Sequence, residues 1–107
     1  MDYRLRQDAE QKLAAEQGTI RKPRAGKTSV VLVYPNTYYV GMSNLGLQTI
    51  YAYLNAREDV CCERAFLPDR EVFPVYTKTG TPICSVESQT PIQEFEIVAF
   101  SVSFENV

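Results

Sequence analysis

The stretch from Val30 to Arg57, VVLVYPNTYYVGMSNLGLQTIYAYLNAR, limits what this chain can fold into more than any other part of it. It opens on an apolar run, Val30 to Tyr34, of the length of a buried strand. Pro35-Asn36 breaks the run, and the residues from there to Asn44 include Gly41 and Ser43. Beyond Gly46, Leu47, Ile50, Tyr51 and Leu54 recur at i, i+3, i+4 and i+7, which puts four large apolar side chains on one helix face. A buried strand, a glycine-bearing connection and an amphipathic helix make the first half of a βαβ unit. Such units bind ligands where the strand ends and the helix begins, so a site is expected there.

The other segments extend that unit. Asp2 to Gln17 is rich in helix formers, with Leu5, Ala9 and Leu13 as a narrow apolar stripe and Gly18 as a terminator. This predicts an N-terminal helix that docks on the body or on a missing partner. Thr19 to Thr28 carries Arg21, Lys22, Arg24 and Lys27 and reads as a solvated basic linker. The division is thus an arm over 1–28 and an α/β domain over 29–107. Gly26-Lys27-Thr28 imitates the end of a phosphate-binding loop. Arg21 stands where that motif needs glycine, however, and the triplet precedes a strand instead of following one.

Strand one is expected over Ser29 to Tyr34, ended by Pro35, which cannot donate to a ladder. The connection Asn36 to Asn44 is long for its kind, and Ser43 or Asn44 can cap the helix. Strand two is expected over Val60 to Phe66, with Val60, Cys62 and Arg64 on one face. Val75 to Thr77 and Ile83 to Val86 predict a small hairpin about the Thr79–Pro82 turn. Pro91 to Phe95 predicts one helical turn. Ile97 to Phe104, IVAFSVSF, reads as the last strand, its first four residues apolar as for a central parallel strand buried on both faces. Strand one should lie between strand two and the last strand in a doubly wound sheet. The chain ends just after a core strand, which reads as the front of a longer polypeptide. The unpaired edge is then a surface for self-association.

Composition excludes several classes of function. There is no histidine, the commonest metal ligand and general base. Cys61, Cys62 and Cys84 have no metal-binding spacing and read as buried free thiols in a reducing cytoplasm. A net charge of −2 argues against nucleic acid, no run approaches membrane-spanning length, and the charged N-terminus is not a secretory signal. No GxGxxG is present. Tyr34, Tyr38 and Tyr39 read as core. Glu63, Glu87 and Glu105, near strand ends, read as exposed or N–H-bonded carboxylates, not as an acid–base pair. With no nucleophile–base pair in view, the segment itself reads as non-catalytic.

Four stretches carry a resemblance: EQGTIRK (Glu16 to Lys22), VVLVYPNTYYVGMSNLGLQTIY (Val30 to Tyr51), CERAFLPD (Cys62 to Asp69) and SVESQTPIQEFEIVAFSVSFEN (Ser85 to Asn106). In order and spacing they resemble the N-terminal region of a group of bacterial radical SAM proteins, in which a cobalamin-binding-like, Rossmann-like domain precedes the radical SAM barrel. The resemblance covers nearly the whole chain. It implies a parent enzyme with a 4Fe–4S cluster on a CxxxCxxC motif beyond Val107, cleaving S-adenosylmethionine to a 5′-deoxyadenosyl radical. It also implies that the barrel of the same chain is this domain's partner. Where the corrinoid is held in relatives, this chain has Asn36, Gly41, Ser43 and Asn44 after strand one and Ser101 and Ser103 in the last strand. The DxHxxG motif of other cobalamin modules is absent, so no histidine here can ligate cobalt. The alternative is a degenerate Rossmann-like interaction module that binds no small molecule.

Overall fold

The computed structural model describes Gln7, Gln11, Ile20, residues 22–69 and residues 71–101. Gln7 and Gln11 are helical and exposed, and the rest of the expected N-terminal helix lies outside the described residues. Strand β1 (Thr28–Thr37) leads into a short helix α1 (Tyr38–Met42) and then helix α2 (Leu45–Asn55). Strand β2 (Val60–Leu67), helix α3 (Phe73–Thr79), a 3-10 turn (Ile92–Glu94) and strand β3 (Ile97–Phe100) follow. The three strands form one parallel sheet in the order β2-β1-β3. Thr28 pairs with Val60 and Val30 with Ile97.

That order explains why both faces are covered. The chain steps outward from β1 to β2, then back past β1 to β3. Crossovers of one hand must then pass over opposite faces. Alternation along the strands supplies an apolar set for each face. Val30, Leu32, Tyr34, Cys62 and Phe66 pack with Tyr38 of α1 and with Leu47 and Tyr51 of α2. Val31, Val33 and Ala65 pack with Phe95, Ile83 and Ile92 from the second crossover. The result is the Rossmann-like parallel α/β arrangement expected from the sequence, with strand one central.

Four local expectations are corrected. Pro35 does not end the first strand, because the β1–β2 register shifts between Tyr34 and Thr37 and the missing N–H falls in that irregularity. Most of the expected loop from Asn36 to Asn44 is the helical turn of α1. The expected hairpin is instead helix α3, with Pro74 in its first turn and Gly80 closing it at φ 67°. Around Cys84 the pairing is a single antiparallel bridge to Pro91. The last strand lies at the margin of the sheet, and Ile97, Val98 and Phe100 are exposed. An apolar run fits a strand that needs cover on both faces, but which strand comes to supply that cover is not local information.

The outward edge of β2 has no neighbouring strand among the described residues, and from Val60 to Arg64 its polar groups are closed by other means. The Val60 carbonyl accepts from Lys22 Nζ at 2.6 Å. Asn55 brackets Cys62, accepting from its N–H and donating to its carbonyl, both at 2.9 Å. The Arg64 N–H donates to Glu87 Oε1 at 2.9 Å, and the Arg64 carbonyl accepts from the Val86 N–H at 2.7 Å. Lys22 also caps α2, donating to the carbonyls of Asn55 and Arg57. Arg24 lies over the Phe95 ring, 5.4 Å from its centroid. The basic linker is therefore docked at Lys22 and Arg24, not solvated there.

Gly41 is set by packing. A Cβ on it would overlap the Phe66 ring, with Tyr34 3.2 Å away. Gly41→Ala is expected to cost about 1–3 kcal/mol through overpacking, read as a lower urea midpoint. Gly46→Ala, whose added Cβ meets only Asn44 Oδ1 at 3.2 Å, costs less.

Candidate functional site at the C-terminal strand edge

In open parallel sheets ligands bind outside the carboxyl ends of the strands, where the chain reverses direction. In the order β2-β1-β3 that reversal lies between β1 and β3. The Ser101 N–H donates to the Val33 carbonyl at 2.9 Å, which fixes the end of β3 against β1.

The candidate residues divide on this frame. Asn36 ends β1 beside Thr37 and accepts the Thr37 N–H at 2.7 Å. Gly41 is buried under Phe66. The Ser43 hydroxyl donates back to the Tyr39 carbonyl at 3.2 Å, closing α1. Asn44 caps α2, accepting from the Leu47 N–H at 2.9 Å, and its amide donates to the Tyr34 hydroxyl at 3.4 Å. Ser103 lies outside the described residues. The fold thus brings Asn36 and Ser101 to one edge, while Gly41, Ser43 and Asn44 serve local geometry.

At the same end of the sheet an open cavity of about 390 Å³ is lined by Thr37, Leu67, Pro68, Phe73 and Pro74. Of its lining, Leu67 and Phe73 are exposed, and so are Tyr39 and Val40 of α1, which follows β1 directly. Tyr39, expected in the core with Tyr34 and Tyr38, is thus at the surface, because α1 turns only Tyr38 and Gly41 inward. This apolar rim was not read from the sequence. Its members come from α1, the end of β2 and the start of α3, and nothing in their spacing brings them together.

Below the rim lies a buried polar cluster. Arg64 is fully buried, and its Nε donates to Glu87 Oε2 at 2.6 Å. The guanidinium also stands 4.3 Å from the centroid of the Tyr51 ring. Burial pushes the Glu87 carboxyl up, and the Arg64 charge opposes that shift. Burial, and then the Glu87 charge, push the Tyr51 hydroxyl far above the usual phenol range. On the other side of the strand Glu63 accepts from the Ser85 hydroxyl at 2.6 Å and from the Ser88 N–H at 3.2 Å. Glu63 and Glu87 are thus N–H-bonded, one of the two environments expected, and both are buried. Glu105 lies outside the described residues. Sealed in this way, the cluster holds the fold and offers no surface to a substrate.

The thiols point the same way. Cys61 and Cys62 are buried, but Cys84, expected to be buried too, is only partly so, since it lies on the irregular crossover and not on a strand of the sheet. Cys62 is pushed up to about 12, by burial first and by Glu87 next, and burial raises Cys61 and Cys84. Cys61 and Cys62 are neighbours on a strand and so face opposite sides. No three His, Cys, Asp or Glu among the described residues gather as a metal site. This donor set does not fit a 4Fe–4S cluster. No helix among the described residues is long and apolar enough to cross a membrane.

Fold and site together define a Rossmann-like α/β module with exposed apolar side chains at its C-terminal strand edge. Residues 46–107, from the first turn of α2 through β3 and beyond, match the family described as radical SAM proteins, N-terminal. The chain belongs to that family. No curated protein and no solved structure matches it. Radical SAM chemistry implies a 4Fe–4S cluster and S-adenosylmethionine in the parent protein.

Two outcomes test the cluster and the thiols. Glu87→Gln removes the carboxylate charge that faces the buried Arg64 guanidinium and is expected to cost about 3–5 kcal/mol, while Arg64→Met with Glu87→Gln costs less than Glu87→Gln alone. The thiol test is pH. In the unfolded chain Cys62 ionises near 9.0, whereas in the folded chain it does so only at about 12. Its contribution is complete below pH 9.0 and is lost as pH rises towards 12. Urea midpoints should fall across that window, and Cys62→Ala should flatten the fall.

Proposed function

We propose that this chain is a non-catalytic accessory module at the amino-terminal side of a radical SAM enzyme, and that its C-terminal strand edge packs on the catalytic barrel of the same polypeptide. The observation that carries this reading is the exposed apolar rim of Tyr39, Val40, Leu67 and Phe73 at that edge. Large apolar side chains exposed at the same end of the sheet as an apolar cavity mark a surface meant to be covered. In this reading the parent's 4Fe–4S cluster and S-adenosylmethionine supply the radical, and the module shields the barrel from water. The free thiols suit a reducing, cytoplasmic setting. In an isolated chain the outer edge of β3 is open to a second copy.

A second reading, that the edge holds cobalamin, draws support from the β2-β1-β3 order and from the position of Asn36 and Ser101. Against it stand the engagement of Gly41, Ser43 and Asn44 within the fold and a cavity of about 390 Å³, small for a corrin. The residues described do not make a corrin cradle, and no chemistry is assigned to one.

The readings separate in the full-length protein. Phe73→Glu should lower 5′-deoxyadenosine formation several-fold and make the module more open to protease. Glu58→Lys, exposed at the opposite end of the sheet, should change neither. Hydroxocobalamin should leave the protein on desalting with an unshifted visible spectrum. Retention with a shifted spectrum would favour the cobalamin reading, and an active, protease-resistant Phe73→Glu protein would remove the packing one.

A further inference from the structure

The linker that leads into β1 touches both faces of the sheet. On one face the Ile20 N–H donates to the Tyr51 hydroxyl, which donates in turn to the Ile20 carbonyl, both at 3.0 Å. Ile20 also packs on the apolar cluster under α2. On the other face the Arg24 guanidinium lies over the ring of Phe95, which belongs to the opposite cluster. Between them Lys22 Nζ donates to the carbonyls of Asn55, Arg57 and Val60, at 3.0, 2.9 and 2.6 Å. The linker thus crosses from face to face past the start of β2.

Under this crossing lies the Cys61 thiol. Cys61 is the second residue of β2 and is 1% exposed. Its Sγ donates to the Lys22 carbonyl at 3.5 Å. Cys62 faces the other way. It belongs to the cluster under α2, and Asn55 holds its N–H and carbonyl. The two adjacent thiols therefore have different covers, one the linker and the other a helix of the core.

The linker is held less firmly than the helix. It lies outside the sheet, since β1 begins at Thr28. Of Ile20, Lys22, Pro23 and Arg24, Ile20 alone packs on an apolar cluster. Pro23 is exposed and has no N–H to bond. Segments with few buried apolar contacts open at lower free energy than the core. A pivot stands where the linker meets the strand. Ala25 and Gly26 are exposed, Gly26 sits at φ 74°, and a Cβ there would meet nothing within 4 Å.

From these observations we infer that Ile20 and Lys22 to Arg24 act as a strap that lifts from the sheet about Gly26, and that the Cys61 thiol is reached only when it lifts. Lys22 is the clasp, because its one ammonium closes three carbonyls. The strap gates a thiol and leaves the sheet folded while it is open. The inference does not depend on what covers the C-terminal edge.

Alkylation of the full-length protein with iodoacetamide tests it, read by mass spectrometry with fragmentation between the two thiols. The cysteine sulfur displaces iodide and its proton passes to solvent. Cys61 should react roughly tenfold faster than Cys62, or more. Its rate should change little in low urea, because lifting the strap exposes little surface, while the Cys62 rate should climb as for unfolding. Lys22→Met keeps the stem, removes the ammonium and should speed Cys61 roughly fivefold without a matching gain at Cys62. No adduct at either thiol, or equal rates with one shared urea dependence, would overturn the inference. So would a Cys61 rate that Lys22→Met leaves unmoved.

Discussion

A parallel strand at the margin of a sheet leaves half its amides and carbonyls without a ladder, and leaving such groups buried and unpaired costs as much as a lost hydrogen bond. β2 faces that problem, and its answer organises the molecule. Lys22 reaches it from the linker, Asn55 from the end of α2, and Val86 and Glu87 from the second crossover. Three segments distant in sequence are thereby tied to one strand. The arrangement also explains why an ion pair is buried here. Glu87 must lie against the strand edge to accept the Arg64 amide, and a carboxylate in that position is tolerable only with the Arg64 guanidinium beside it. Closing the edge in this way also blocks strand addition from that side, which is how edge strands are kept from aggregating.

The other margin is treated differently. β3 exposes Ile97, Val98 and Phe100, and the C-terminal rim exposes Tyr39, Val40, Leu67 and Phe73. One side of the sheet is finished within the chain, while the β3 side and the C-terminal end present apolar surface. That asymmetry suits a module within a larger protein, and it agrees with membership of a family defined as the N-terminal region of radical SAM proteins. The thiols of Cys61 and Cys62 are buried, and the Arg64–Glu87 pair is enclosed between sheet and crossover.

The sequence made the framework legible because the framework rests on periodicity. Val30 to Tyr34, the spacing of Leu47, Ile50, Tyr51 and Leu54, and the run VCCERAF each announce an element through local pattern, and together they imply a central first strand. What escaped depends on context. Pro35 and Pro74 are poor strand and helix residues in isolation, yet one falls where the ladder shifts and the other in a first turn. Gly41 resembles a ligand-binding glycine until Phe66, twenty-five positions later, is seen to fill the space its missing Cβ leaves. Asn55, Glu87 and Lys22 carry no local signal of their task, since the partner of each is a strand backbone reached only in three dimensions. Of the six site residues, Asn36 lies near the end of β1 and Ser101 just past β3, positions that follow from where the apolar runs end.

The most direct test of the closed edge is residue-resolved amide hydrogen exchange along β2 in the native protein. Because Cys62 and Arg64 donate outward to Asn55 and Glu87, their amides should exchange as slowly as those of Cys61, Glu63 and Ala65, which face β1. Slow and fast exchange alternating from Cys61 to Ala65, with Cys62 and Arg64 fast, would mean that the edge is open and that the side chains credited with sealing it do not.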